Sequence, residues 1–212
     1  MKKTTEKIFE QFLTRYPFMN PVREEIVFAT NQIIACYQNN GKLLVCGNGG
    51  SNADADHIAG ELMKGFVKQR KIETQIAKKM EQFGAKNMIE KLQGALPVIN
   101  LGAHTSLLTA VANDIGGEMI FAQQVLGFGQ KGDLLLGIST SGNSKDIICA
   151  GLVAKAKEMK TILLSGKDGG EAKEVFDFPL LVPDCQTADV QSMHSAVYHA
   201  VCMMVENEFW DI

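Results

Sequence analysis

Apolar residues recur every three to four positions through the first forty residues, then gather into short unbroken runs separated by glycine turns. The first pattern predicts helices and the second buried strands. Ile8, Phe9, Phe12 and Leu13 share one helical face, and Asn20-Pro21 reads as an N-cap with proline at the first helical position. A second helix carrying Val22, Ile26, Val27, Ile33, Ile34 and Tyr37 is then expected to run to Asn39-Asn40-Gly41. The runs at 42–46, 96–101, 133–136, 161–164 and 178–182 have the length of strands. Helical patterns follow them, one carrying His57 and Glu61 and others at 107–112, 119–126, 144–159 and 187–209. Such alternation argues for an α/β fold, a three-layer α/β/α sandwich around a doubly wound, mainly parallel five-stranded sheet covered on both faces.

Residues 68–94 depart from this rhythm. They are rich in Lys, Glu and Gln, with Ile72, Ile76, Met80 and Phe83 at helical spacing, and Gly84 is placed to fold them into a hairpin with Met88, Ile89 and Leu92 on the second limb. The expected organisation is one domain over 1–212, with a helical N-terminal extension over about 1–40 and an inserted helical arm over about 68–94. At 212 residues nothing forces a division. The apolar stripes of the arm and the terminal helices exceed what one such sheet covers, so a homo-oligomer is expected.

The charge balance narrows the partners. With 21 Lys+Arg against 24 Asp+Glu, the formal net charge of -3 provides no basic field for nucleic acid or anionic lipid. Five cysteines without C-x-x-C spacing read as buried thiols of a reducing cytoplasm. Glu6 and Glu10 interrupt the N-terminus before any apolar stretch forms, and no run reaches membrane-spanning length. A soluble, cytoplasmic protein that is not exported is expected.

Candidate chemistry lies in the glycine turns. G-I-S-T-S-G-N-S-K at 137–145 stands where a buried strand gives way to a helix; its two glycines admit a close ligand, and Ser139, Thr140, Ser141 and Ser144 offer hydroxyl donors beside the helix N-terminus. A phosphate fits there. The spacing is not that of a Walker loop, so a small phosphate ester is favoured over a nucleotide cofactor; the plain alternative is a connecting turn with Ser144 as N-cap. A second turn, Gly47-Asn48-Gly49-Gly50-Ser51, has the same form. His57 and Glu61 fall four apart on one helical face, able to share a ligand, a proton or a metal, or simply to pair at a surface. Asn113-Asp114 precedes another glycine turn. On the last helix, spacing alone does not choose between His194 and His199.

With these residues in hand, the chain resembles the phosphoheptose (sedoheptulose 7-phosphate) isomerase branch of the sugar isomerase (SIS) domain family, from about residue 5 to 209. The motifs are C-G-N-G-G-S at 46–51, D-x-H-I-A-x-E-L at 54–62, A-N-D at 112–114, G-I-S-T-S-G-N-S at 137–144, G-K-D-G-G at 166–170 and T-A-x-x-Q-x-x-H-x-x-x-x-H at 187–199. The resemblance implies aldose–ketose isomerisation of a phosphosugar through an enediol, with Glu61 and His199 as the acid/base pair. It implies that Ser51, Ser139, Thr140, Ser141 and Ser144 hold the phosphate and that Asn48, Asn113, Asp114 and Gln191 meet the sugar hydroxyls, Gly49, Gly50 and Glu61 completing the substrate set. His57, Glu61, Gln191 and His199 match positions that hold zinc in some relatives, although Gln191 and His199 lie about 12 Å apart along a continuous helix. Either that helix starts later or two chains contribute. The resemblance also implies a tetramer.

Two departures leave the sugar open: the long arm at 68–94, and Gly60 where many relatives carry a second acidic residue. Some relatives with this fold are protein-binding partners of replication initiation that lack the glutamate at the position of Glu61. Glu61, Gln191 and His199 are all present here, which favours an isomerase. A sugar-phosphate-sensing regulator is expected to carry a DNA-binding domain, for which the chain has no room.

Overall fold

The computed structural model describes residues 1–210. Helix α1 (Lys3–Arg15) leads through a 3-10 turn, Pro17–Val22, into α2 (Arg23–Gln38). Then come β1 (Leu43–Gly47) and α3 (Gly50–Met63), the arm helices α4 (Thr74–Gln82) and α5 (Lys86–Ile89), β2 (Val98–Asn100) and α6 (Thr105–Asp114). Helix α7 (Ala122–Phe128), β3 (Leu134–Ser139), α8 (Lys145–Ala156), β4 (Lys160–Ser165), β5 (Phe178–Leu181) and α9 (Thr187–Phe209) complete the order.

The five strands form one all-parallel sheet in the order β2-β1-β3-β4-β5. Because side chains alternate across a strand, each strand feeds two cores. Leu43, Val45, Leu134, Leu136, Ile138, Ile162 and Leu164 face α1, α2, α3 and α9, while Leu44, Cys46, Leu135 and Leu163 face α7 and α8. Both faces are thus covered, which is why the strands read as apolar runs without a polar alternation. Strands β1 and β3 are neighbours, yet the helices that follow them go to opposite faces. Their carboxyl ends open into the crevice where an open α/β sheet reverses its winding, the usual ligand position in this architecture.

The structure departs from the sequence reading in three places. Asn20 does not cap α2: its side-chain amide donates back to the Pro17 carbonyl (2.8 Å), so Pro21 lies inside the 3-10 turn and α2 begins at Arg23. The pattern at 119–126 divides into a 3-10 turn, Gly117–Met119, and α7. The arm is helical only in α4 and α5, leaving Ile72 outside; it reverses at Gly84 (φ 75°), which only a residue free of Cβ strain adopts easily. Neither arm helix buries a residue, and the root closes where the Gly94 N–H donates to the Arg70 carbonyl (3.0 Å).

Leu135 and Ile138 point into opposite cores of the same strand, both at most 1% exposed. Leu135→Ala and Ile138→Ala should each lose about 2–5 kcal/mol and melt in one transition, followed by urea denaturation with two optical probes. Separate transitions for the two faces would contradict a sheet that couples them.

Candidate active site

Two glycine turns build one end of the site. After β3, the Ser139 and Ser144 hydroxyls pair (3.1 Å), the Gly142 N–H donates to Ser139 Oγ (3.1 Å) and the Asn143 N–H to Ser141 Oγ (3.2 Å), drawing the chain into a tight cup over the start of α8. Gly142 has φ 67°, and a Cβ there would collide with the Gly169 carbonyl, so the turns at 140–144 and 166–170 are nested. Ser144 occupies the N-cap position of α8 without a side-chain capping bond, while the Ile147 N–H in the first turn donates to the Asp146 carboxylate (3.0 Å). After β1, the Asn48 amide donates to the Asp146 carboxylate (2.9 and 3.0 Å), joining the two turns across the crevice. A Cβ on Gly50 would run into the Gln191 amide, which places Gln191 against this turn. Ser51 is buried in the first turn of α3.

The other end lies further along α3 and α9. Glu61 is 4% exposed; its Oε1 is 3.2 Å from His57 Nε2 and 3.1 Å from His199 Nε2. Neither carboxylate oxygen receives a formed hydrogen bond, so the ring nitrogens crowd the oxygen without pointing their N–H groups at it. Burial pushes the Glu61 carboxyl up to about 7. His199 is held below its ordinary value by burial and by His57, and its ring lies nearly parallel to Phe66 (6.0 Å between centroids, 27°). Its exposed edge lines a cleft of about 750 Å³ between α1 and α9.

Of the residues expected in the site, His57, Glu61 and His199 come together, with ligand atoms within 4.8 Å of one another. Asn48, Gly49, Gly50, Ser51 and Gln191 gather at the first turn, and Ser139, Thr140, Ser141 and Ser144 at the second. Helix α9 begins at Thr187, so the nine residues from Gln191 to His199 are continuous helix; Gln191 stands apart from the other three proposed metal ligands within this chain. Asn113 and Asp114 end α6 exposed and bonded to each other (2.7 Å), with no hydrogen bond to either turn among the described residues. His194 is the core histidine: fully buried, its imidazole is pushed down to about 4. Sequence reasoning missed Tyr198, whose hydroxyl meets His57 Nδ1 (3.1 Å), and Ser195 at His199 Nδ1 (3.4 Å). Their signal was spacing, since each lies within four residues of His199 on α9.

The SIS domain profile matches residues 17–166. The phosphoheptose isomerase of a Nitratiruptor species is 39% identical over 208 residues, covering 98% of this chain and 94% of its own. That of Clostridium acetobutylicum is 42% identical over 187 residues, covering 88% and 84%. Among solved structures, a phosphoheptose isomerase from Francisella tularensis superposes with a TM-score of 0.76 at 30% identity, and one from Neisseria gonorrhoeae with 0.72 at 32%; each comparison covers 97% of this chain and all of the other.

The raised carboxyl has a consequence for stability. Glu61 stays protonated in the folded chain up to about 7 but ionises near 4.5 when unfolded, so its favourable neutral burial is fully present below 4.5 and is lost as pH rises through 7. With chelator present, Glu61→Gln should gain about 3 kcal/mol on the parent between pH 4 and pH 8 in denaturant titrations. Parallel stability curves would show that Glu61 is not raised.

Proposed function

Because the chain belongs to the SIS domain family and, within it, to the phosphoheptose isomerases, we propose that it interconverts sedoheptulose 7-phosphate and the corresponding aldoheptose 7-phosphate. The observation that carries this reading is Glu61, a buried carboxyl near half-ionisation at neutral pH, held between two imidazoles. Isomerisation through an enediol requires one group to move a proton between the two carbons and another to serve their oxygens. Glu61 is suited to the first, since a pKa near working pH lets it take and return a proton. His199 is suited to the second. The cup of Ser139, Thr140, Ser141 and Ser144, with Ser51, would anchor the phosphate, and Asn48, Gly49, Gly50, Gln191, Asn113 and Asp114 would receive the sugar.

His57, Glu61 and His199 also fit a zinc ion, because their orphaned carboxylate oxygens and crowded nitrogens form an N,N,O donor set. Zinc held there would polarise the substrate carbonyl. Gln191 joins that set only from a second chain. Along α3, Ser51 and Glu61 are ten residues and about 15 Å apart, so a phosphate cup and an acid–base cluster from different copies would serve one substrate more readily. The exposed Ile76, Phe83, Met88 and Leu92 of the arm support such an assembly, a homotetramer. Five free cysteines, three of them buried, suit the cytoplasm, and no helix among the described residues is long and apolar enough to cross a membrane.

Glu61→Gln and His199→Ala should each lower turnover of sedoheptulose 7-phosphate about a hundredfold or more while remaining folded, and Ser141→Ala with Ser144→Ala should chiefly raise KM. Folded Glu61 and His199 variants at wild-type rates would sink the assignment. Light scattering should give a mass near four chains; a monomer at micromolar concentration would refute the shared site. Elemental analysis should find zinc lost on chelation with the fold intact by circular dichroism, whereas unfolding on chelation would make the metal structural.

A further inference from the structure

Beneath the acid–base cluster lies a buried ion pair, Arg70 with Glu206. The Glu206 carboxylate, 1% exposed, accepts the Phe66 N–H and Arg70 Nε on one oxygen (2.9 and 2.7 Å) and the Val67 and Lys68 N–H groups on the other (2.9 and 3.2 Å). The Arg70 side chain is wholly buried, its guanidinium 4.6 Å from the centre of the Trp210 ring. Its two remaining nitrogens donate to main-chain carbonyls in the last turn of α3, Nη1 to Leu62 (2.6 Å) and Nη2 to Glu61 (2.7 Å).

We infer that Arg70 and Glu206 are positioning residues that hold Glu61 and His199 at their working separation. Glu206 and His199 lie seven residues apart on α9, two turns and therefore on one face. Arg70 grips the carbonyl of Glu61 itself. The pair therefore ties α3 to α9 at the level where the two side chains meet 3.1 Å apart. The same carboxylate fixes the backbone of Phe66, whose ring stacks on His199. One planar fork satisfies a carboxylate and two carbonyls at once, which a lysine ammonium on a flexible stem cannot reproduce. If the pair served only to bury charge, a well-packed apolar core would do as well; the directed bonds to the Glu61 carbonyl and the Phe66 N–H are what an apolar core lacks.

This inference rests on the isomerase reading, and the test separates the two. Wild type, Arg70→Lys and Phe66→Leu are compared for circular dichroism, for turnover of sedoheptulose 7-phosphate, and for the ring-proton NMR signals of the four histidines. Arg70→Lys keeps the charge, and Phe66→Leu keeps the backbone bond to Glu206 while removing the stack. Expected is a fall in kcat of about tenfold to a hundredfold with KM within about twofold, together with movement of the His199 signal and an unmoved His194 signal. If Arg70→Lys does not fold, Glu206→Gln, which weakens the pair from its other side while keeping an acceptor oxygen, carries the same comparison. Wild-type kcat in the folded variants, or a rise in KM matching the fall in kcat, would overturn the positioning role. Should the wild type itself not turn over the sugar, the isomerase reading fails, and the His199 signal of Arg70→Lys, which keeps the Phe66 ring in place, decides: unmoved, it overturns the proposal.

Discussion

A carboxyl group without a formed hydrogen bond, shut between two helices, is the constraint on which the remaining architecture depends. Burying Glu61 opposes its ionisation, and the two imidazoles beside it offer no aligned N–H to offset that. The arrangement persists only while α3 and α9 are held together by something else. The apolar face supplies much of this, through Ile58 and Leu62 of α3 and Val197, Val201, Cys202 and Val205 of α9 in one core cluster. The rest comes from polar ties whose donors and acceptors are satisfied, Arg70 with Glu206 and the carbonyls of Glu61 and Leu62 among them.

The sheet separates two tasks. At the carboxyl ends of β1 and β3, glycine turns present hydroxyls and N–H groups with little apolar cover, as a phosphate requires. Further along α3, the Glu61 carboxyl is itself buried and titrates near neutrality between two partly exposed imidazoles. One end is built to receive a fixed charge, and the other holds a carboxyl between two imidazoles.

How much of this the sequence disclosed follows the range of the interactions. Local patterns were legible: α9 runs over the residues its periodicity indicated, and both glycine turns lie at strand ends. Asn20 misled because an N-cap and a turn-closing side chain look alike before the backbone is known; its amide bonded backward to Pro17 instead. The choice between His194 and His199 needed burial, since both sit in the same apolar helix. Arg70 and Glu206 were invisible for a different reason. They lie 136 residues apart, and an arginine in a stretch of lysines reads as solvated until its partner is in place.

The arm gains a further meaning from its root. Its base is pinned where the Arg70 carbonyl takes the Gly94 N–H, while nothing in α4 or α5 is buried. The entropy of closing such a loop grows only with the logarithm of its length. Within one chain, residues can therefore be added to or removed from the hairpin tip with little effect on the registry of α3 against α9, so the arm's length is set by what it meets outside the chain rather than by the core it springs from.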